Sequence, residues 1–214
     1  MSTAIRSRAG SLVELVVIVA VALGLALLIQ AFIVKPYKIP SGSMEPTLKV
    51  GQRVLVDRIG MHFGGPSVGD IVVFHPPQGA EQEICGAVAA PPYMVSYGGA
   101  PCSKAAPKEA SVNFIKRVVA GPGEWIYVKE GHAYTSKSRH SSFKREHDPY
   151  IAPCGSSPEC NFRTPIEIPP EHWFMMGDNR GESDDSRFWG PVPTSWVIGV
   201  AFATYWPPDR VGLL

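Results

Sequence analysis

The sequence predicts a mainly β domain carried behind a single apolar helix. Three observations carry this. Leu15–Val34 holds no polar side chain except Gln30. Glycine and proline, 21 of each in 214 residues, are scattered through the chain without a period, as in a turn-rich β protein. Between them stand short alternating or wholly apolar segments of strand length.

The helix comes first. Twenty residues at about 1.5 Å each cover roughly 30 Å, the hydrocarbon thickness of a bilayer. A core helix of a soluble domain carries a polar stripe, and this run has none. A cleaved secretory leader is the competing reading, since Arg6 and Arg8 precede the run. The run exceeds a usual leader core, however, and its only Ala-x-Ala, at Ala20 and Ala22, lies inside it. The expected organisation is a short cytoplasmic N-terminus over 1–11, an uncleaved single-pass anchor over 12–34 with the lipid bilayer as partner, and an extracytoplasmic domain over 35–214. Lys35 and Lys38 follow the span, so basic residues alone orient it only weakly.

The net charge of +1 gives no electrostatic argument for a nucleic-acid partner. Of the charged residues only Arg6, Arg8 and Glu14 precede residue 35, so the outer segment is balanced and long enough to build a full core. All four cysteines lie in it. An even count beyond a membrane anchor reads as two disulfides in an oxidising compartment, Cys154–Cys160 and Cys85–Cys102. That places the large domain outside. There is no Cys-x-x-Cys and no His-Glu-x-x-His, so no metal is expected.

The strands follow in order. Arg53–Asp57 alternates polar and apolar, the period of a half-buried strand, and Ile71–Phe74 is apolar throughout, as in a strand buried on both faces. Residues 75–111 are rich in Pro, Gly, Ala and Ser and read as an insertion. Val112–Val119 is a strand closed by Gly121-Pro122-Gly123, and Trp125–Val128 with His132–Thr135 makes a hairpin. Residues 136–165 read as a polar, loop-like second insertion. Trp173–Met176 and Trp196–Trp206 complete the set, and no helical period of useful length follows residue 35.

Three segments carry chemistry. In Ile39-Pro40-Ser41-Gly42-Ser43-Met44-Glu45-Pro46-Thr47-Leu48 two prolines and a glycine restrict the backbone around two serines. A serine hydroxyl needs a base to act as a nucleophile near neutral pH. The six histidines are scattered, at 62, 75, 132, 140, 147 and 172. Lys116 is the better candidate, because alternation places it on one strand face with Phe114 and Val118. Desolvation there lowers an amine's pKa and makes the neutral form available. The third segment, Gly177-Asp178-Asn179-Arg180-Gly181-Glu182-Ser183-Asp184-Asp185-Ser186-Arg187, reads equally as a solvated turn or as a brace for a neighbouring catalytic group. Taken singly, each segment is more often a connector or an exposed strand than a site.

Together these segments resemble the bacterial type I signal peptidases, membrane-anchored Ser/Lys endopeptidases. The resemblance rests on Pro40–Thr47, Gly69–Phe74, Phe114–Glu124 and Gly177–Gly190, on their order, and on the preceding span. It implies a fold of two antiparallel β sheets. It makes Ser43 the nucleophile, Lys116 the general base, and Ser41 with the Ser43 N–H the oxyanion hole. Ser183 would hydrogen-bond the lysine amine, Asp185 and Arg187 would brace that turn, and Gly177 would pack close to the lysine. Tyr37, Ile39, Pro40, Val73, Phe114 and Ile115 stand where the family lines its shallow pockets for small side chains.

The implied activity is removal of signal peptides from exported preproteins after small-x-small sites. It takes place on the outer, periplasmic face of the bacterial cytoplasmic (inner) membrane, without metal or other cofactor. Both insertions depart from the family's plainest members, and the short Cys154–Cys160 loop resembles one in Gram-negative relatives. A dedicated peptidase acting on a conjugative pilin precursor is one alternative. A non-enzymatic, membrane-anchored assembly protein is another, and it leaves the co-occurrence of serine loop, apolar-faced lysine and Gly-Asp-Asn turn unexplained.

Overall fold

A computed structural model describes residues 3–62, 64–82, 85–86, 100–155 and 160–214 of the chain. It opens with α1 (Thr3–Phe32), whose described large apolar side chains, from Leu12 to Leu27, are all exposed. They face outward on every side of the helix, as the lack of a polar stripe predicts. Among the described residues no helix is long and apolar enough to cross a membrane.

The remainder is mainly β. The strands are β1 (Val34–Lys38), β2 (Arg53–Asp57), β3 (Ile71–Phe74), β4 (Phe114–Ala120), β5 (Trp125–Lys129), β6 (His132–Ser136), β7 (Lys144–Arg145), β8 (Phe162–Glu167), β9 (His172–Met176), β10 (Val192–Pro193), β11 (Val197–Trp206) and β12 (Gly212–Leu213). One short helix, α2 (Ser186–Trp189), precedes β10. An eight-stranded sheet runs β1-β2-β11-β3-β4-β9-β10, with β12 on β11, and a four-stranded sheet runs β7-β6-β5-β8. All their pairings are antiparallel.

The core follows from strand alternation. Val72 and Phe74 of β3 face a cluster that also takes Val118, Phe174 and Met176 from the large sheet and Ile126, Val128, Ala133, Phe162 and Ile166 from the small one. This is the layer between the sheets. Ile71 and Val73 face a second cluster with Ile115, Val54, Val56 and Ala201, closed over by Ile39, Met44 and Leu48. A strand buried on both faces has no room for a polar residue, which explains the uninterrupted Ile-Val-Val-Phe.

Differences from the sequence reading are local. β4 begins at Phe114, since Val112 is exposed. The 136–165 segment, expected to be loop, contains β7 and the start of β8. The 75–111 segment forms no strand among its described residues, and both disulfides, Cys85–Cys102 and Cys154–Cys160, are present as expected.

Phe174 is fully buried between the sheets. Its truncation to Ala removes a large apolar side chain and leaves a void. The expected loss is about 3–5 kcal/mol in denaturant-induced unfolding. Leu213→Ala, at a residue 87% exposed, is expected to stay within about 0.5 kcal/mol of the parent.

Candidate active site

The serine loop leaves β1 and is pinned at its base by two main-chain bonds, Ile39 N–H to Gln52 O at 2.8 Å and Gly51 N–H to Ile39 O at 2.9 Å. Ile39, Met44 and Leu48 are buried in the second cluster. Met44 ends a single 3₁₀ turn, Gly42–Met44, so the plug beside Ser43 sets the serine's place. The Ser41 and Ser43 Oγ atoms are 3.4 Å apart.

β4 brings the lysine. Its register with β9 ends at Arg117 opposite Met176, so Lys116 is the first β4 residue with no β9 neighbour. The chain turns away from β9 at Gly177, and the serine loop meets it there. Lys116 Nζ lies 2.6 Å from Ser43 Oγ, joining groups 73 residues apart. The amine is buried and stands 5.8 Å from the Phe114 ring centroid. Burial is the largest influence on it and lowers its pKa from 10.5 to about 8. Asp185, Asp184 and Asp178 oppose the shift, and Arg187 adds to it.

The segment after β9 forms the wall of the site. A Cβ on Gly177 would lie 2.4 Å from Ser43 O and 2.2 Å from Ser183 Oγ, so only glycine fits. Asp178 is buried and takes two bonds from Arg117, at 2.9 and 2.7 Å, and one from the Thr47 hydroxyl. It therefore ties β4 to the serine loop. The Asn179 N–H donates to Ser43 O at 3.0 Å, and its side chain donates to Gly42 O at 3.3 Å. Arg180 reaches from Gly177 O to Gly131 O.

Arg187 holds the far end of this wall. Its guanidinium grips both Asp185 oxygens, at 2.8 and 2.9 Å, and donates to Arg180 O and Ser183 O. Asp185 in turn accepts the Gly177 N–H at 3.0 Å and caps α2 through the Arg187 N–H. Burial pushes this carboxyl up, but the charge and hydrogen bond of Arg187, the Lys116 charge and the Gly177 N–H together hold the group below its ordinary range. Arg180 is lowered by burial and by the neighbouring Arg187 charge.

The structure thus gathers Ser41, Ser43, Lys116, Gly177, Ser183, Asp185 and Arg187 around one point. Ser183 Oγ is buried against Gly177 and has no hydrogen-bond partner. Of the residues expected to line pockets, Ile39, Val73 and Ile115 lie together in the second cluster with Tyr37 against it. Phe114 packs instead against the inter-sheet cluster, edge-on to Phe74, and Pro40 is exposed. The Arg117–Asp178–Thr47 tie and the Asn179 bonds were not legible from spacing. Their only trace was that Asp178 and Asn179 sit inside a matching block.

A dry amine against a serine hydroxyl, held by a buried polar wall where β9 ends beside β4, is equipped for acyl transfer. Fold and site together define a hydrolase of the serine type. The chain belongs to the signal peptidase family, described as "Signal peptidase, peptidase S26", whose profile matches residues 12–206. It is 34% identical over 202 residues to a probable signal peptidase I-1 of Synechocystis, covering 94% of this chain and 86% of that one. It is 34% identical to a signal peptidase I of Leptolyngbya laminosa, covering 89% and 77%. A chloroplastic thylakoidal processing peptidase 1 of Arabidopsis thaliana is 32% identical over 89% of this chain and 47% of its own length.

Three outcomes follow from this geometry. Ser43→Ala and Lys116→Ala are each expected to lower kcat about 10⁴-fold with the fold intact by circular dichroism. Lys116→His is not expected to rescue, since the shorter ring cannot reach Ser43. If the neutral amine is the reacting form, kcat/KM is expected to rise about tenfold per pH unit below about 8 and to level above it.

The same shift has a stability counterpart. Between about 8 and 10.5 the unfolded chain binds more protons than the native one, so stability rises with pH across that window. Lys116→Met is therefore expected to raise the unfolding free energy at pH 7 by about 1–3 kcal/mol while abolishing activity.

Proposed function

We propose that the protein removes signal peptides from exported preproteins, cutting after small-x-small sites with Ser43 as nucleophile and Lys116 as base. The observation that carries this reading is the 2.6 Å contact of a buried, desolvated amine with a serine hydroxyl in a chain of the signal peptidase family.

The neutral amine accepts the Ser43 proton as Oγ attacks the scissile carbonyl. The Ser43 N–H and the Ser41 hydroxyl receive the developing oxyanion, donors of a kind worth about 3–4 kcal/mol each. The ammonium then passes its proton to the leaving amine, and the C–N bond breaks. An acyl ester on Ser43 remains. Lys116, again neutral, takes a proton from water as the water oxygen attacks the ester. It then returns that proton to Ser43 Oγ as the acyl–oxygen bond breaks, releasing the carboxylic product and free Ser43. Asp185 and Arg187 keep the wall in place, while the Ser183 hydroxyl, expected to bond the amine, stands beside Gly177 without a partner. These steps use side chains, the Ser43 N–H and water.

Tyr37, Ile39, Pro40, Val73 and Ile115 are proposed to shape the shallow apolar subsites, with Phe114, on the inter-sheet side, beside the amine. An extended peptide would bind there as an added strand, with alternate side chains entering pockets. We place 1–11 in the cytoplasm, 12–34 as a single anchor in the cytoplasmic membrane, and 35–214 outside. The support is the apolar run through Val34, the outward-facing apolar side chains of α1, and two disulfides in the outer segment. Ser43 follows Val34 by nine residues, so at about 3.3–3.6 Å per residue it lies within roughly 30 Å of the membrane surface.

The test compares a preprotein carrying Ala at the first and third positions before the cut with one carrying Lys next to the cut. The first is expected to be cleaved at least about a hundredfold faster. A chelator and reagents aimed at a histidine-activated serine are expected to have little effect. Equal cleavage of the two preproteins, or loss of activity with the chelator, would falsify the reading. Cleavage of a pilin precursor alone would favour a dedicated peptidase.

A further inference from the structure

The wall of the site ends in α2, and a second segment lies across that helix. This strap, residues 100–110, belongs to the insertion between β3 and β4. At one end it is tied to the chain after β3 by Gln78 N–H to Lys108 O at 2.9 Å and Ala110 N–H to Pro76 O at 2.7 Å. At the other end Cys102 is bonded to Cys85. Both sulfurs are buried, as is Ala106, and Ala100 packs on the inter-sheet core.

The strap touches α2 at two points. The Cys102 N–H donates to Arg187 O at 2.9 Å. Gly190, with φ +91°, lies directly beneath: a Cβ there would be 2.3 Å from Lys104 O and 3.0 Å from Cys102 Sγ. Arg187 is thus held through its carbonyl by the strap and through its guanidinium by Asp185. Asp185 holds the Gly177 N–H, and Gly177 lies against Ser43 O. A continuous path of named contacts joins the disulfide to the serine.

We propose that the disulfide-closed strap is a positioning device for the proton-accepting amine. By fixing α2 it holds the Asp185–Arg187 pair, and through it the Gly177 turn, at the geometry that the Lys116–Ser43 contact needs. The Cys102 main chain and Lys104 carbonyl are positioning elements, not catalytic ones. Opening the disulfide frees Cys102 from Cys85, so the Arg187 carbonyl loses a fixed donor and the wall loosens toward water.

The direction of the effect on the base follows from its surroundings. The charged groups acting on Lys116 are Asp185, Asp184 and Asp178, which favour the ammonium, and Arg187, which opposes it. All four sit on the wall, whereas burial is the dominant influence. Water entering a loosened wall relieves burial first, so the amine becomes harder to deprotonate.

The experiment uses the full chain and a Cys85→Ser/Cys102→Ser variant. It measures turnover of an Ala-x-Ala peptide from pH 6 to 10 and hydrogen exchange at the Gly177 and Gly190 amides. In the variant kcat is expected to fall about tenfold near neutrality with KM unchanged. The rising limb is expected to move to higher pH, and the Gly177 amide to exchange faster. A folded variant with the parent's kcat, pH midpoint and exchange overturns the proposal. Should the double variant not fold, Gly190→Ala keeps both cysteines and pushes the strap off α2. It is expected to act in the same direction, and a parental profile there overturns the proposal as well. The turnover arm rests on the functional reading above. If the parent protein cleaves no such peptide, that reading fails, and unaltered exchange at Gly177 is then what overturns the strap.

Discussion

One contact organises the molecule: an amine and a hydroxyl, 73 residues apart in sequence, held at 2.6 Å away from water. The two requirements on that amine conflict. Burial makes its neutral form available at moderate pH, and burial of its charged form is costly. The wall around it resolves the conflict by keeping carboxylates near without letting any of them bond the amine directly. Asp178 is committed to Arg117 and Thr47, and Asp185 to Arg187 and the Gly177 amide. Each buried charge has its own partner, so the lysine is influenced by the acids without being neutralised by them.

Much of the fold was legible because its physical cause is local. Arg53–Asp57, Ile71–Phe74, the hairpin of Trp125–Val128 with His132–Thr135, and Trp173–Met176 are strands whose sequences show their burial directly. β8 was hidden for an equally physical reason. It pairs only with β5, at the edge of the small sheet, so Arg163, Thr164 and Glu167 face solvent and Pro165 is tolerated. β7 is two residues long and has no period to detect, and β1 lay behind the apolar run that dominated its neighbourhood.

For the site, the sequence displayed the residue types but not their meeting. Lys116 could be singled out because its strand neighbours are apolar, and Ser43 because prolines and glycine restrict its loop. That the two touch is a property of sheet order and of β9 ending at Met176, neither of which spacing reveals. The Asp178–Arg117 and Asn179–Ser43 ties were invisible for the same reason, since each joins elements distant in sequence. The Ser183 hydroxyl, assigned from resemblance, is buried beside Gly177 with no partner of its own.

The position of β11 has a consequence for when the protein becomes competent. This strand, the last long one in the chain, lies between β2 and β3. On one side of it stand the strands that flank the serine loop, and on the other those that carry the lysine. Sheet pairing between the two halves runs through β11. A chain still being synthesised therefore holds Ser43 and Lys116 on two β units not yet joined in one sheet. Closure of the site waits for the C-terminal strand to slot between them, and such long-range pairing is among the slower steps of folding. Assembly order thus sets the moment of competence: a partly made copy has both side chains without the contact between them.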